Sequence, residues 1–227
     1  MRSILLVPFL LLAAPALAQQ EDSQIWFQAN GQVPLDDNLR LTLEGIMRWS
    51  DRQDGLFHTE IGGIVSTKIA DNVEIGFGYR HVGAHGGSTA DDEDRLRQHI
   101  VVTLGRFTTR LRVDERFHPD GDEIGFRIRP LVRYSHPVGS KGYALFAVHE
   151  SFFMANDTDW GQRAGYDRVR HTLGVTVPMA KGISADIGYL NQYRFARNGG
   201  RAQMDHAFSY QITLALGGGK KPKPEEE

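Results

Sequence analysis

Apolar and polar side chains alternate along most of the chain, in segments of about ten residues separated by polar or glycine-containing stretches. Between Leu39 and Glu44, for example, every odd position is apolar, whereas Arg40, Thr42 and Glu44 are polar. A period of two predicts β-strands, since successive side chains of a strand point to opposite faces. The pattern predicts strands at residues 24–33, 39–49, 57–69, 73–82, 95–104, 107–117, 124–135, 143–153, 167–177, 183–195 and 206–216.

The connections between these segments alternate in length. Those after the first, third, fifth, seventh and ninth segments are short, and the others are longer and polar. Transmembrane barrels have short periplasmic turns and longer outer loops, and a tilted strand of about ten residues crosses a bilayer. We therefore predict an all-β protein, a single antiparallel transmembrane β-barrel of about 10–12 strands. Twelve is preferred to the eleven counted because such barrels normally have an even number. A soluble periplasmic β-sandwich is the competing interpretation.

Charge is concentrated on one face of the predicted strands, most clearly in the arginine-rich segment 107–135. A cation on the lipid-facing side of a barrel costs about 2–4 kcal/mol at the bilayer midplane. The charged face is therefore expected to line the lumen. The predicted lumen-lining residues are Arg40, Glu44, Arg48, Glu60, Glu74, Arg80, Arg95, Arg97, Arg110, Arg112, Asp114, Arg116, Arg127, Arg129, Arg133, Glu150, Arg168, Arg170, Asp186 and Arg194.

Two interpretations of this lumen remain open. Arginines and carboxylates can pair in a hydrogen-bonded network that fills a small barrel, because the guanidinium group binds carboxylates bidentately. Alternatively, the surplus of cations over inward acids can create a positive field that favours anions in an open pore. The size of the barrel does not decide between a plugged lumen and a pore.

The ends of the chain differ in composition from the rest. Residues 1–18 combine Arg2, an apolar run and an Ala16-Leu17-Ala18 step, which is typical of a cleavable secretory signal peptide. The barrel domain is expected at residues 19–216, and residues 217–227 form a charged tail that we expect to be disordered. The chain contains no cysteine, which excludes disulfides and thiolate metal sites. These features predict export to the outer membrane of a Gram-negative bacterium.

One motif suggests an enzyme instead. His149 and Ser151 are two residues apart and therefore lie on the same strand face, which we expect to meet lipid. Outer-membrane lipases and deacylases place a His-x-Ser pair in this way. A Ser–His pair requires hydrogen-bond contact and a third group that orients the imidazole, and neighbouring segments offer His171 and Asn191. A lipid-modifying hydrolase is the alternative function, less favoured than a barrel without catalysis.

Other functions find less support in the sequence. The carboxylates of the segment Thr89–Asp94 are ligands that Ca²⁺ prefers, but a solvated acidic loop is the simpler interpretation. No cofactor, metal site or nucleic-acid partner is expected, the last because the cations point inward. The expected partners are outer-membrane lipid, lipopolysaccharide and the barrel-insertion machinery, with small anionic solutes if the lumen is open.

Several weak motifs, taken in their order along the chain, resemble one family. They are Trp26, Arg48, Tyr79-Arg80, Phe126-Arg127-Ile128-Arg129 leading to Tyr134, Glu150-Ser151-Phe152, Arg170-His171-Thr172-Leu173-Gly174, and Tyr189 with Tyr193. The chain resembles the outer-membrane β-barrel group catalogued as domain-of-unknown-function family 2490. The resemblance covers most of the chain after the signal peptide. It implies an outer-membrane barrel without an established activity.

Overall fold

The structure, a computed structural model, describes residues 20–86, 92–197 and 199–217. The predicted signal peptide and residues 218–227 of the predicted tail lie outside the described residues. Within these residues, eleven strands form the fold: β1 Gln20–Pro34, β2 Leu39–Ser50, β3 Gly55–Ala70, β4 Val73–Ala84, β5 Glu93–Leu104, β6 Phe107–Phe117, β7 Gly125–Val138, β8 Tyr143–Met154, β9 Gly165–Ala180, β10 Ile183–Arg194 and β11 Gln203–Ala215. Each of the strands predicted from the alternation is present, and the bounds differ by at most a few residues.

The strands close into one barrel in chain order, which confirms the predicted all-β barrel and excludes a two-sheet sandwich. Consecutive strands pair antiparallel, but β1 pairs with β11 in parallel, from Gln20 opposite Gln203 to Gln32 opposite Ala215. The preference for twelve strands was therefore wrong. A closed barrel needs an even number of strands only when its first and last strands pair antiparallel. A parallel closing pair allows an odd number such as eleven.

The alternation of side chains builds two different walls. On β11, Asp205 and Ala207 are buried inside the barrel, whereas the next residue, Phe208, is exposed on the outside. The same holds on other strands, where Ile61 is 69% exposed and Leu173 is 63% exposed. The outer wall is thus mostly apolar, and most of the charged strand residues lie inside.

The two rims of the barrel differ. One rim, here called the short-turn end, carries connections 35–38, 71–72, 105–106, 139–142 and 181–182. Gly105 and Gly182 have positive φ angles of 58° and 75°, which glycine adopts without steric cost in two-residue turns. The opposite rim, the long-loop end, carries the connections that follow β2, β4, β6, β8 and β10. The β2–β3 connection, residues 51–54, is no longer than the β1–β2 connection, so the predicted asymmetry holds from β4 onward.

Among the residues that the structure describes, there is no helix of the length and apolar character needed to cross a membrane.

Candidate functional site

The interior of the barrel is occupied by ion pairs that join side chains from different strands. The first cluster lies between β2, β3, β4 and β5. The Nη2 atom of Arg80 donates to Glu44 Oε2 at 2.7 Å, and its Nη1 atom donates to Glu60. Arg97 donates to the same Glu44 oxygen, and Arg48 Nη2 donates to Glu60 Oε1 at 2.8 Å. Two carboxylates therefore connect arginines that come from three strands.

The second cluster lies between β6, β7, β8 and β9. Asp114 is fully buried and accepts from Arg127 Nη2 at 2.6 Å and from Arg129 Nη1 at 3.3 Å. Glu150 accepts from Arg129 at 2.9 Å, from Arg110 at 2.7 Å and, through its other oxygen, from Arg170 at 3.1 Å. Arg129 thus joins the two carboxylates, so that the charged side chains of four strands form one connected network.

The short-turn end carries pairs that are more exposed. Arg40 donates to Glu74 Oε2 at 2.7 Å, with the arginine side chain more exposed than the glutamate. Arg133 donates to Asp186 Oδ2 at 2.6 Å and to Thr176 Oγ1 at 3.0 Å. These contacts tie β2 to β4, and β7 to β9 and β10.

The sequence interpretation missed several inward acids near the long-loop end. It placed Glu93 in an outer loop, but Glu93 begins β5, is buried, and pairs with Arg95 and, at 2.5 Å, with Arg116. Asp167 pairs with Arg168 at 2.5 Å and Asp205 pairs with Arg194 at 3.4 Å. Glu93 was misassigned because a run of four acids resembles a solvated loop, although its two-residue offset from Arg95 places both on one face.

Aromatic side chains also point inward, against the general pattern. Trp26 lies under the guanidinium groups of Arg48 and Arg170, 4.0 Å and 4.6 Å from the ring centroid. Phe152 and Phe146 are stacked in the same way under Arg129 and Arg133. Aromatic rings stabilise cations through their π electrons when water is excluded. The period of two was the signal available in the sequence for these inward rings. Trp26, for example, lies two residues from each of the inward side chains Gln24 and Gln28.

The predicted lumen-lining residues are thus brought together inside the barrel. A cavity of about 610 Å³ remains between them, lined among others by Arg48, Arg110, Arg112, Arg129 and Glu150. Every arginine in the predicted set forms an ion pair with a described residue, except one. Arg112 is 6% exposed and has neither a hydrogen-bond nor an ion-pair partner among the described residues.

The outer wall carries the second candidate site. Ser151 Oγ lies 3.1 Å from His149 Nε2, and His149 Nδ1 lies 3.0 Å from Nε2 of His171, its cross-strand partner on β9. Ser151 Oγ is also 3.1 Å from the hydroxyl of Tyr166. His171 therefore supplies the third group, whereas the side-chain amide of Asn191 donates to Met204 instead. The contact between His149 and His171 could not be derived from sequence because it depends on the β8–β9 register.

The backbone is irregular beside Ser151. The β8–β9 register shifts between Phe152 and Phe153. On the other side, the β7–β8 ladder passes from Ile128 opposite Phe153 directly to Leu131 opposite Glu150, so Pro130 faces Ser151 at the interruption. Proline has no N–H to donate to a ladder, and bulges often lie next to active sites. Ser151 therefore occupies a break in an otherwise regular wall.

The acidic segment Thr89–Asp94 does not form a cluster in its described part. Residues 89–91 lie outside the described residues. Glu93 is held by arginines inside the barrel, and Asp94 Oδ1 accepts from Tyr79 and contacts His81 on the outside. No group of three or more potential metal ligands occurs within residues 20–86, 92–197 and 199–217.

Comparison with known proteins places the chain in a family. The sequence profile described as protein of unknown function (DUF2490) matches residues 23–204, which include most of the barrel. The chain belongs to the DUF2490 family. An uncharacterized protein of Methylorubrum extorquens is 34% identical to it over 158 residues, which is 66% of this chain and 69% of that protein. The match of this DUF2490 chain confirms the family resemblance and assigns no activity.

Proposed function

We propose that the protein is a barrel of the Gram-negative outer membrane whose interior is cross-linked by arginine–carboxylate pairs and leaves a narrow, anion-favouring lumen. The observation that carries this proposal is the separation of the two walls. Apolar side chains such as Ile61, Phe77 and Leu173 are exposed on the outside, while buried arginines and acids face one another across the cavity.

The outer wall has the properties that a lipid environment requires. Soluble monomers rarely expose a continuous apolar surface of this extent. Aromatic side chains mark both rims: Phe107 and Tyr134 are 5.1 Å apart at the short-turn end, and Tyr166 contacts Phe153 and Phe195 at the long-loop end. Aromatic girdles at both interfaces are typical of transmembrane barrels.

The direction of insertion follows from the loops. We assign the short-turn end to the periplasm and the long-loop end to the outside, as in other outer-membrane barrels. Export by the predicted signal peptide, assembly by the barrel-insertion machinery, and contact with lipopolysaccharide through the acidic loops belong to the same proposal.

The lumen is proposed to favour anions because arginines outnumber the acids that face them. Glu150 alone is shared by Arg110, Arg129 and Arg170. Side chains of one sign in a confined space of low dielectric constant raise the local concentration of the opposite ion. The cross-linked side chains narrow the interior around this cavity, so that the conductance is expected to be small.

Planar-bilayer recording of the purified barrel tests this proposal. We expect small unitary conductances and a reversal potential shifted toward that of the anion in a salt gradient. Arg112→Glu is expected to reduce the anion preference, whereas Arg106→Glu, the same charge change at an exposed residue of the short-turn end, is expected to leave it unchanged. A preference for cations, or membranes that stay silent after verified insertion, contradicts the proposed lumen.

A second candidate function rests on a different observation, the hydrogen-bonded chain Ser151–His149–His171 on the outer wall. We propose an acyl-ester hydrolase that acts on membrane lipids. Ser151 Oγ attacks the ester carbonyl carbon, and His149 Nε2 takes the hydroxyl proton and passes it to the leaving alcohol as the ester C–O bond breaks. Water then hydrolyses the acyl-serine with His149 again as base. We propose the Tyr166 hydroxyl, 3.1 Å from Ser151 Oγ, as the donor to the developing oxyanion.

Hydrolysis of phospholipid or lipid A by the purified protein in detergent tests this second candidate. Release of fatty acid is expected from the parent and from Ser209→Ala, a control whose side chain faces the cavity. It should be lost in Ser151→Ala and reduced by at least about a hundredfold in His149→Gln. Equal release from parent and Ser151→Ala, or none from any of them, rejects the hydrolase.

A further inference from the structure

We propose that the interior of the barrel binds one small oxyanion of the inorganic phosphate class at the guanidinium group of Arg112. This inference rests on the proposed anion-favouring lumen and names a ligand of that lumen. It is carried by three observations: a buried arginine that has no partner among the described residues, an excess of cations around a shared carboxylate, and a cavity that reaches both.

Arg112 is the first observation. Its side chain is almost completely buried, and its Nε atom is shielded from solvent and has no hydrogen-bond partner within the described part of the chain. A buried donor that is left without an acceptor loses its hydration and gains nothing in return. A guanidinium group presents two parallel N–H donors that match two oxygens of a tetrahedral oxyanion. Arg112 therefore has the donors of an anion site and lacks the acceptor.

The neighbours of Arg112 add positive charge. Arg129 is its direct cross-strand partner on β7, and Arg110 lies two residues away on the same face of β6. Both donate to the same oxygen of Glu150, and Arg170 occupies the other oxygen. Glu150 is therefore shared by three arginines, of which Arg129 also contacts Asp114, and Arg112 adds a further cation that forms no ion pair with a described residue. A bound anion would balance this excess, since buried charges without a counter-charge are costly.

The cavity gives the anion room and access. It is lined by Arg110, Arg112, Arg129 and Glu150. Asp114, on the other side of Arg112 along β6, has one oxygen without a partner, Oδ1, which would repel an anion. We therefore expect the anion on the side of Arg112 that faces Arg110.

Isothermal titration calorimetry with inorganic phosphate tests the proposal. The full-length barrel is purified and folded in detergent without phosphate, and folding of each variant is verified by heat-modifiable migration in gels. We expect saturable binding of one phosphate per chain. Arg112→Gln should weaken the affinity by at least about tenfold, the effect of one charged hydrogen bond, and Arg112→Lys, which keeps the charge without the fork, should retain part of it.

Arg40→Gln is the matched control, because it removes the same charge from an arginine that is half-exposed and already paired with Glu74. Its affinity for phosphate should equal that of the parent. Equal binding by Arg112→Gln and the parent, or no saturable binding by the parent, overturns the site. If the parent barrel conducts anions selectively but does not bind phosphate, this inference alone is rejected. If the purified barrel fails to insert into bilayers, the proposed function is rejected.

Discussion

Arg127 Nη2 donates to Asp114 Oδ2 at 2.6 Å across the β6–β7 pair, and Asp114 has no solvent-exposed surface. The two residues are direct partners in the strand register. Arg129 approaches the same oxygen at 3.3 Å. One buried carboxylate therefore holds two guanidinium groups near the long-loop end of the arginine-rich β6–β7 pair.

Asp114→Asn should destabilise the folded barrel more than most substitutions. The change leaves Arg127 without its counter-charge, and breaking a buried pair by removing one partner costs about 3–5 kcal/mol. Urea unfolding in detergent or lipid vesicles, followed by tryptophan fluorescence, measures the free energy of unfolding. Glu74→Gln is the control, since its pair with Arg40 is partly exposed and such pairs contribute up to about 1 kcal/mol. Similar losses for the two variants would contradict a buried network.

Gly174→Val should block closure of the wall between β8, β9 and β10. Gly174 lies opposite Gly188 in the register, and a Cβ added at Gly174 would meet the carbonyl oxygen of Ile187 and the ring of Phe146. The paired glycines allow the two backbones and the inward phenylalanine to approach closely. Refolding yield into detergent measures the effect. Gly45→Val is the matched control, because a Cβ at Gly45 meets no atom within 4 Å; a normal yield for both variants would contradict the close approach.

The parallel pairing of β1 with β11 makes an unusual topological prediction. Gln20 lies at the long-loop end, whereas Gly217 follows β11 at the short-turn end. An epitope inserted before Gln20 should therefore be reached by antibody on intact cells, and an epitope after Gly217 only after the outer membrane is permeabilised. A loop epitope between Asp157 and Thr158 serves as the control for surface display. Both terminal epitopes on the same side would contradict the odd-numbered barrel.

The sequence predicted the strands because outward-facing and interior residues alternate with a period of two. It could not predict how the barrel closes, because the pairing of Gln20 with Gln203 is a contact between the two ends of the chain. The inward position of Trp26 was not predicted, because its stacking with Arg48 is a contact between strands that depends on the fold. The inward position of Glu93 was missed because Glu93 belongs to a run of acids, although its spacing of two from Arg95 places both side chains on one face.

The candidate sites were predicted less completely than the fold. The face that carries Arg110 and Arg112 followed from spacing, but the absence of a partner for Arg112 depends on where Glu150 and Asp114 lie in three dimensions. In the same way, His149 and Ser151 follow from their spacing, and the contact with His171 follows only from the strand register.

The most direct test asks which wall of the barrel faces lipid. The chain has no cysteine, so single cysteines for spin labels can be introduced at Leu173 and, one residue before it on the opposite face, at Thr172. In vesicles, the label at position 173 should collide readily with oxygen and poorly with a water-soluble nickel chelate, and the label at position 172 should show low accessibility to oxygen. A label at position 173 that is as accessible to the nickel chelate as to oxygen, in a protein that stays soluble without detergent, would contradict the account.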